Sequence, residues 1–187
     1  MSRNNEEVKL IIINGASATG KTALGKEIAK KLNLPLICKD DIKELLFDDL
    51  GWSDREWSKK VGGASFDLLW HTTETMLSTN ISLIIETKFH PENARKKLQE
   101  LKAKYRFRVI EMNCHADGDT ILKRFSERAK NKRHPGHNDL QNIDLFKEEL
   151  LRGKVEPIDD KSKIISIDTT DFSTIDIDEI VEKIKKL

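Results

Sequence analysis

The sequence predicts an α/β fold built on a parallel sheet with helices on both faces. Three observations predict it. Five short apolar runs, at 10–14, 34–39, 82–87, 107–113 and 163–168, are rich in aliphatic residues. Continuous apolar runs of this length suit strands buried on both faces. Segments of helical period separate them, and strands alternating with helices imply right-handed crossovers between parallel strands. Finally, the first run leads straight into Gly15-Ala16-Ser17-Ala18-Thr19-Gly20-Lys21-Thr22, a G-x-x-x-x-G-K-[ST] motif with a helical pattern directly behind it.

Each element follows from local signals. After the motif, Leu24, Ile28 and Leu32 repeat every four residues, and Asn33 followed by Pro35 signals a stop. The next helix starts at Asp40-Asp41, carries Ile42, Leu45 and Leu46, and ends at Gly51. Residues 54–79 read as two helices with a break at Gly62-Gly63. Pro91 opens a further helix with Ala94, Leu98 and Leu101 on one face. Residues 119–130 and 139–152 are helical, the latter ending at Gly153, and the last helix runs from about Asp176 to the C-terminus. No internal repeat, low-complexity tract or linker interrupts the pattern, so 1–187 reads as a single domain.

Lys+Arg 33 against Asp+Glu 32 leave a net charge of +1, which does not point to nucleic acid as a partner. No stretch approaches the roughly 18–20 apolar residues of a membrane span, and residues 1–9 lack the apolar core of a signal peptide. Cys38 and Cys114 fit no metal or redox spacing and read as free thiols in a reducing cytoplasm. Nor do Cys114, His115, His134 and His137 form a compact zinc pattern.

The motif has a physical rationale. Gly15 and Gly20 let the chain turn tightly, so consecutive amides of Gly15, Ala16, Ser17, Ala18, Thr19 and Gly20 point inward around phosphate oxygens. The helix N-terminus adds partial positive charge. Lys21 reaches the β- and γ-phosphates, and the Thr22 hydroxyl takes a place on a magnesium ion. ATP with Mg2+ is the expected occupant. The one Asn-Lys pair, Asn131-Lys132-Arg133-His134, has His where a GTPase switch has Asp, and the chain has no room for motor or transport modules. A small phosphotransferase remains.

The second run ends in Cys38-Lys39-Asp40-Asp41-Ile42-Lys43, placing two carboxylates at the sheet edge where open α/β sheets bind ligands. One can accept the proton of a substrate hydroxyl as it attacks the γ-phosphate, Asp40 being favoured, while the other caps the helix. Glu86 and Thr87 arrive at the same edge. Arg124 and Arg128 lie four apart on one helix face and suit the spread charge of a transferring phosphoryl group. Trp52, Trp57 and Trp70 either line an acceptor pocket or pack helices onto the sheet.

These stretches resemble P-loop kinases of the polynucleotide kinase, chloramphenicol phosphotransferase and zeta-toxin type, and a broad set of bacterial "AAA domain" proteins. The resemblance spans nearly the whole chain, including residues 52–70, Arg133-His134-Pro135-Gly136-His137 and Asp168-Thr169-Thr170. It implies a three-layer α/β/α P-loop NTPase of the kinase subtype with strand order 2-3-1-4-5, substrate helices at about 52–79 and a helical lid at about 115–138. It maps the catalytic base onto Asp40 and a Walker-B-like acid, on magnesium's water shell or the substrate, onto Glu86. The arginines at 124 and 128 fall on the lid helix, with Arg133 and His134 in a loop able to fold over the phosphates. Thr169 and Thr170 fall in the loop that lies against adenine. Asp41, Lys43 and Trp57 complete the expected acceptor side. Polynucleotide kinases carry an Arg where this chain has Lys43, and a lysine lacks the fork that grips phosphate in two places. That departure weakens the case for a nucleic-acid end.

The expected activity is therefore transfer of the ATP γ-phosphate to a hydroxyl of an unidentified small molecule, by a monomer or homodimer. A nucleotide-dependent ATPase or regulatory module and a polynucleotide 5′-hydroxyl kinase remain as alternatives.

Overall fold

A computed structural model describes residues 7–131, 133–158 and 162–187. The reading of the first nine residues as lacking a signal core and the comparison at Asn131-Lys132 fall partly outside them.

Five parallel strands, β1 (Lys9–Gly15), β2 (Leu36–Cys38), β3 (Leu83–Glu86), β4 (Arg108–His115) and β5 (Lys163–Asp168), form one sheet in the order β2-β3-β1-β4-β5. The five expected runs and their order all hold. β1 sits at the centre, and Gly15 pairs with Cys114 while Ile13 pairs with Glu86. This register carries Glu86 to the mouth of the motif that leaves β1.

Strand alternation builds two cores from one run of aliphatic residues. Leu10 and Ile12 face helices α3 (Arg55–Ser78) and α4 (Pro91–Lys104), burying Leu69, Leu77, Ala94, Leu98 and Leu101. Ile11 and Ile13 face the other side, where α1 (Lys21–Leu32) and α7 (Ile177–Lys186) contribute Leu24, Ile28, Ile180, Val181 and Ile184. The result is a three-layer α/β/α P-loop NTPase fold. A third cluster, Ala16, Ala116, Ile121, Phe125 and Leu150, packs α5 (Gly118–Asn131) and α6 (Ile143–Leu151) over the motif.

The local signals act where they were read. Asn33 ends α1 at φ 53°, with its N–H donating back to Ala29 and Lys30 carbonyls. Pro91 occupies the first turn of α4, and the Asp176 carboxylate accepts the Glu179 N–H at the start of α7. Three boundaries differ. The second strand is shorter than 34–39, because Lys39 already belongs to α2 (Lys39–Leu50). The segment at 139–152 begins as a short 3-10 turn, Leu140–Asn142, before α6.

The third difference is larger. Gly62-Gly63 does not break the chain, and α3 runs unbroken for 24 residues. Val61, Ser65, Leu69, Thr73 and Leu77 recur every four residues on its buried face. Ser65 and Thr73 donate their hydroxyls to the carbonyls of Val61 and Leu69, at 2.6 and 2.7 Å, so no polar group is stranded there. Two mid-helix glycines cost about 1 kcal/mol each relative to alanine. Burying Leu69 and Leu77 contributes roughly 1.5–3 kcal/mol apiece and outweighs that.

Both cysteines are free and buried, and no helix among the described residues is long and apolar enough to cross a membrane.

Candidate active site

The phosphate motif is shaped by its backbone. Gly15 and Gly20 take φ of +151° and +83°, and Ala18 also lies in the left-handed region at φ 62°. Gly20 has a second constraint: a Cβ there would sit 2.5 Å from the Phe172 ring. Ala16 and Thr19 are fully buried. The Thr19 hydroxyl donates to the Ala16 carbonyl at 2.8 Å, so this side chain closes the turn and leaves amides to meet a ligand. Asn14 braces the entrance. Its Oδ1 accepts from the Gly15 and Phe89 amides at 2.9 and 3.1 Å, while its Nδ2 donates to the buried Glu111.

Lys21 is buried, donates to the Ala16 carbonyl at 2.8 Å and lies 3.9 Å from Glu86. Burial lowers its pKa, and the carboxylate of Glu86 opposes that shift. Thr22 donates its hydroxyl to Glu86 Oε2 at 2.9 Å. Glu86 is 5% exposed. A lysine, a hydroxyl and a carboxylate thus converge within one sphere at the start of α1. The hydroxyl and the carboxylate are oxygen donors suited to a hydrated hard cation, and the ammonium is suited to the phosphate oxygens beside it.

The cleft continues across the sheet edge. Ala18, Gly20, Lys21, Thr22, Asp40, Asp41, Glu44, Arg124, Arg128 and Arg133 enclose about 350 Å³. Asp40 stands at the start of α2. Its Oδ1 accepts from Lys39 at 3.1 Å and its Oδ2 from Arg133 at 2.7 Å. Burial pushes its pKa up, but Arg133, then Lys39 and His137, more than offset this and hold it far below the usual carboxylate range. The side chain remains 38% exposed. Each oxygen therefore keeps a lone pair for a further donor. Asp41 is exposed on the same rim.

Arg133 anchors a dense charged group. Besides Asp40 it donates to Glu44 at 3.3 Å and Asp139 at 3.1 Å, and it touches His137 Nδ1 at 2.9 Å. His137 Nε2 is 2.9 Å from Glu44. Burial lowers the His137 pKa against the pull of Glu44, and the bond from His137 lowers the Glu44 pKa. The 133–139 segment is pressed onto α2 so closely that a Cβ at Gly136 would lie 2.6 Å from Phe47. His134 stacks on Phe47 at 5.2 Å and meets Trp52 at 4.8 Å.

The structure shows where each expected residue lies. Arg124 and Arg128 both line the phosphate cleft, but with different partners. Arg124 spends its guanidinium on the carbonyls of Thr169 and Thr170, at 2.8 and 2.9 Å. Arg128 lies 3.5 Å from Asp139, and its buried Nε has no hydrogen-bond partner among the described residues. Thr169 is fully buried with its hydroxyl donated to the His115 carbonyl at 2.9 Å, so its side chain cannot touch a nucleotide. Arg133 grips Asp40 rather than reaching over the phosphates. The tryptophans diverge: Trp57 donates its indole N–H to the Gly51 carbonyl at 2.9 Å, Trp52 covers His134, and the partly buried Trp70 packs on Phe89 while lining a surface cleft with Phe66 and His71. Trp57 thus braces the α2–α3 turn instead of lining an acceptor pocket. Lys43 is buried against Ser58.

Glu44, His137, Asp139 and Asn14 are site residues that sequence reasoning missed. Glu44 and His137 meet across 93 positions, and no spacing rule links them. For Asn14 one signal was available: a polar residue in an otherwise aliphatic strand.

Strand order, phosphate loop and flanking helices define a P-loop protein of the kinase-type fold. A family model described as an AAA domain matches residues 10–152, and the chain belongs to that family. A Chloroflexus aurantiacus protein provisionally assigned as a kinase shares 39% identity and a TM-score of 0.90, covering 97% of this chain and 98% of its own. A sugar kinase from Janibacter sp. HTCC2649 shares the fold at a TM-score of 0.58 and 14% identity, with 97% and 94% covered. None of the curated proteins matches the chain.

Proposed function

We propose that this protein is an ATP-dependent phosphotransferase whose acceptor is a hydroxyl of a small molecule. The observation that carries the reading is the opposition across one cleft of Lys21, Thr22 and Glu86 on one wall and the Asp40 carboxylate on the other. The provisional kinase assignment of the Chloroflexus relative supports it.

In this reading the amides of 15–20 cradle the β- and γ-phosphates, and Lys21 leaves the Ala16 carbonyl to reach them. Thr22 and Glu86 would hold a magnesium ion, directly or through water, and such an ion screens the charge on the phosphates. The acceptor hydroxyl donates its hydrogen bond to Asp40. As the oxygen bonds to the γ-phosphorus, the bridging P–O bond to the β-phosphate breaks and the hydroxyl proton passes to the Asp40 carboxylate. Arg128, on the lining of the same cleft, would meet the charge of the transferring group. Arg133 and Lys39 keep Asp40 ionised and aimed. A strongly depressed pKa makes Asp40 a weak base at rest, which suits a loose transition state in which the proton leaves late. The chain is one such domain, with the lid at about 115–138 and the acceptor side at about 52–79 carried by the single helix α3.

Two variants test the reading. Asp40→Asn removes phosphoryl transfer while ATP affinity stays within about twofold, because its loss leaves the phosphate cradle intact. Lys21→Ala weakens both ATP binding and transfer. Unchanged turnover in Asp40→Asn would instead favour a nucleotide-dependent ATPase or regulatory module.

A further inference from the structure

Behind the Asp40–Arg133 pair lies a second cleft of about 370 Å³, between α2, α3 and the start of α6, lined by Lys43, Arg55, Ser58, Gly62, His137 and Phe146 among others. Its size suits a small molecule and not a macromolecular segment.

Lys43 is 8% exposed. Its ammonium donates to Ser58 Oγ at 2.9 Å and lies over the Phe47 ring at 5.2 Å. No carboxylate among the described residues lies within ion-pair distance. Three N–H donors with one hydrogen bond leave two unused, and a buried cation is normally paired. Arg55 lines the same cleft, 5.1 Å over the Phe146 ring, and it too has no acidic partner among the described residues. The acid of this cleft, Asp139, is already engaged by Arg133 and Arg128. Two unpaired cations therefore share one concavity.

Gly62 and Gly63 sit on the same wall. They lie inside a continuous helix without positive φ, so no backbone requirement accounts for them. A Cβ at Gly62 would come 3.6 Å from Lys43 Nζ, and one at Gly63 would meet nothing within 4 Å. Their bare backbone keeps space open beside the Lys43 ammonium, at a cost to the helix.

Lys43 follows Asp40 by three residues on α2, so both project from one helix face. An acceptor with its charged end at Lys43 and its hydroxyl at Asp40 would span two clefts that meet where Arg133 touches His137. We infer that this cleft binds the anionic group, carboxylate or phosphate, of the acceptor, so that the phosphorylated molecule is a small hydroxylated acid rather than a neutral or cationic alcohol. The inference rests on the phosphotransferase reading for its reaction but not for its binding.

Isothermal titration of the protein, saturated with a non-hydrolysable ATP analogue and magnesium, separates the two. The probes are glycerate against glycerol, gluconate against glucose, glucose 6-phosphate against glucose, and an oligonucleotide with a 5′-hydroxyl. At least one acid is expected to bind about tenfold or more tightly than its neutral counterpart, the low end for charge-assisted hydrogen bonds. The carboxylate and phosphate arms distinguish the two anion sources. Lys43→Gln and Arg55→Gln each remove the preference with nucleotide affinity unchanged. Arg55 is only half-buried, so its variant reads the site even where replacing Lys43 impairs folding. Gly62→Leu fills the cleft and abolishes acid binding with the fold retained. Equal binding of acids and neutral partners, a preference that survives both Gln variants, or binding of the oligonucleotide alone would overturn the inference. An acid that binds but draws no ADP release with Asp40 intact removes the phosphotransfer reading and leaves the anion site standing.

Discussion

The two walls of the cleft are made of different material. The phosphate wall is mostly backbone: eight consecutive residues bent by Gly15, Ala18 and Gly20, with the side chain of Thr19 turned inward to hold the turn and Lys21, Thr22 and Glu86 adding side chains at its end. The acceptor wall is side chain: Asp40, Glu44, Arg133, His137 and Asp139 joined in one hydrogen-bonded group drawn from α2 and the 133–139 segment. Backbone amides bind any polyphosphate in much the same way. A side-chain wall can be recut for each acceptor without disturbing the loop. Under the proposed function specificity resides in the side-chain wall, and variants of that wall are expected to spare ATP binding.

The sharpest break comes from Asp40→Asn, expected to lower kcat by ~10³-fold, within the range for a general base, with the ATP dissociation constant little changed. A fall in ATP affinity of the same size would show the two walls to be one unit.

Arg133→Gln comes next, with a loss of about 10²-fold in kcat from a misaimed carboxylate. Its pH profile separates positioning from bulk structure. Arg133 depresses the Asp40 pKa, and in the proposed mechanism the ionised carboxylate is the working form. The wild-type protein therefore shows no loss of kcat from Asp40 as pH falls toward the ordinary carboxylate range. Without Arg133 that limb moves up, toward about pH 4. A variant whose kcat falls without any shift of the limb would mean that Arg133 only holds the fold.

A smaller effect belongs to Lys43. Burial pushes its pKa down to about 8. Around it stand Lys39 and Asp40 on α2, Arg55 on α3, and Arg133, His137 and Asp139 on the facing segment. The ammonium is charged below that pH and neutral above it, so KM for an acidic acceptor rises ~10-fold between pH 7 and pH 9 while KM for ATP stays flat. Binding the acid favours the charged form and moves this limb upward, never downward.

Gly62→Ala gives the smallest change and the most diagnostic sign. Alanine at an unstrained helical position stabilises by about 1 kcal/mol, or roughly 2–4 °C in Tm for a chain of this size. Because its methyl comes 3.6 Å from the Lys43 ammonium, acceptor affinity is expected to fall as thermal stability rises. A gain in both would mean that the glycine pair has no part in acceptor binding.

Much of the scaffold was legible before any coordinates. The aliphatic runs placed all five strands because burial on both faces demands near-continuous apolar residues, and the strand ends shifted only slightly, to Lys9–Gly15, Leu36–Cys38, Leu83–Glu86 and Arg108–His115. Gly62-Gly63 misled because helix propensity is a weak local bias, overridden here by a four-residue repeat of buried side chains from Val61 to Leu77. Arg124 shows a similar limit. Its spacing from Arg128 placed both on one face, but nothing local reveals that the carbonyls of Thr169 and Thr170 claim one guanidinium.

By itself the sequence determined the phosphate loop, the strand and helix segments and the acid at the head of α2, since each depends on neighbours within a few residues. Tertiary structure alone decided the acceptor side. It set Arg133 on Asp40, turned Thr169 inward, and left Lys43 and Arg55 without acidic partners among the described residues, beside a glycine-lined gap. Such pairings join elements far apart in the chain, where only the packing of helices on the sheet fixes which charges meet and which are left free for a ligand.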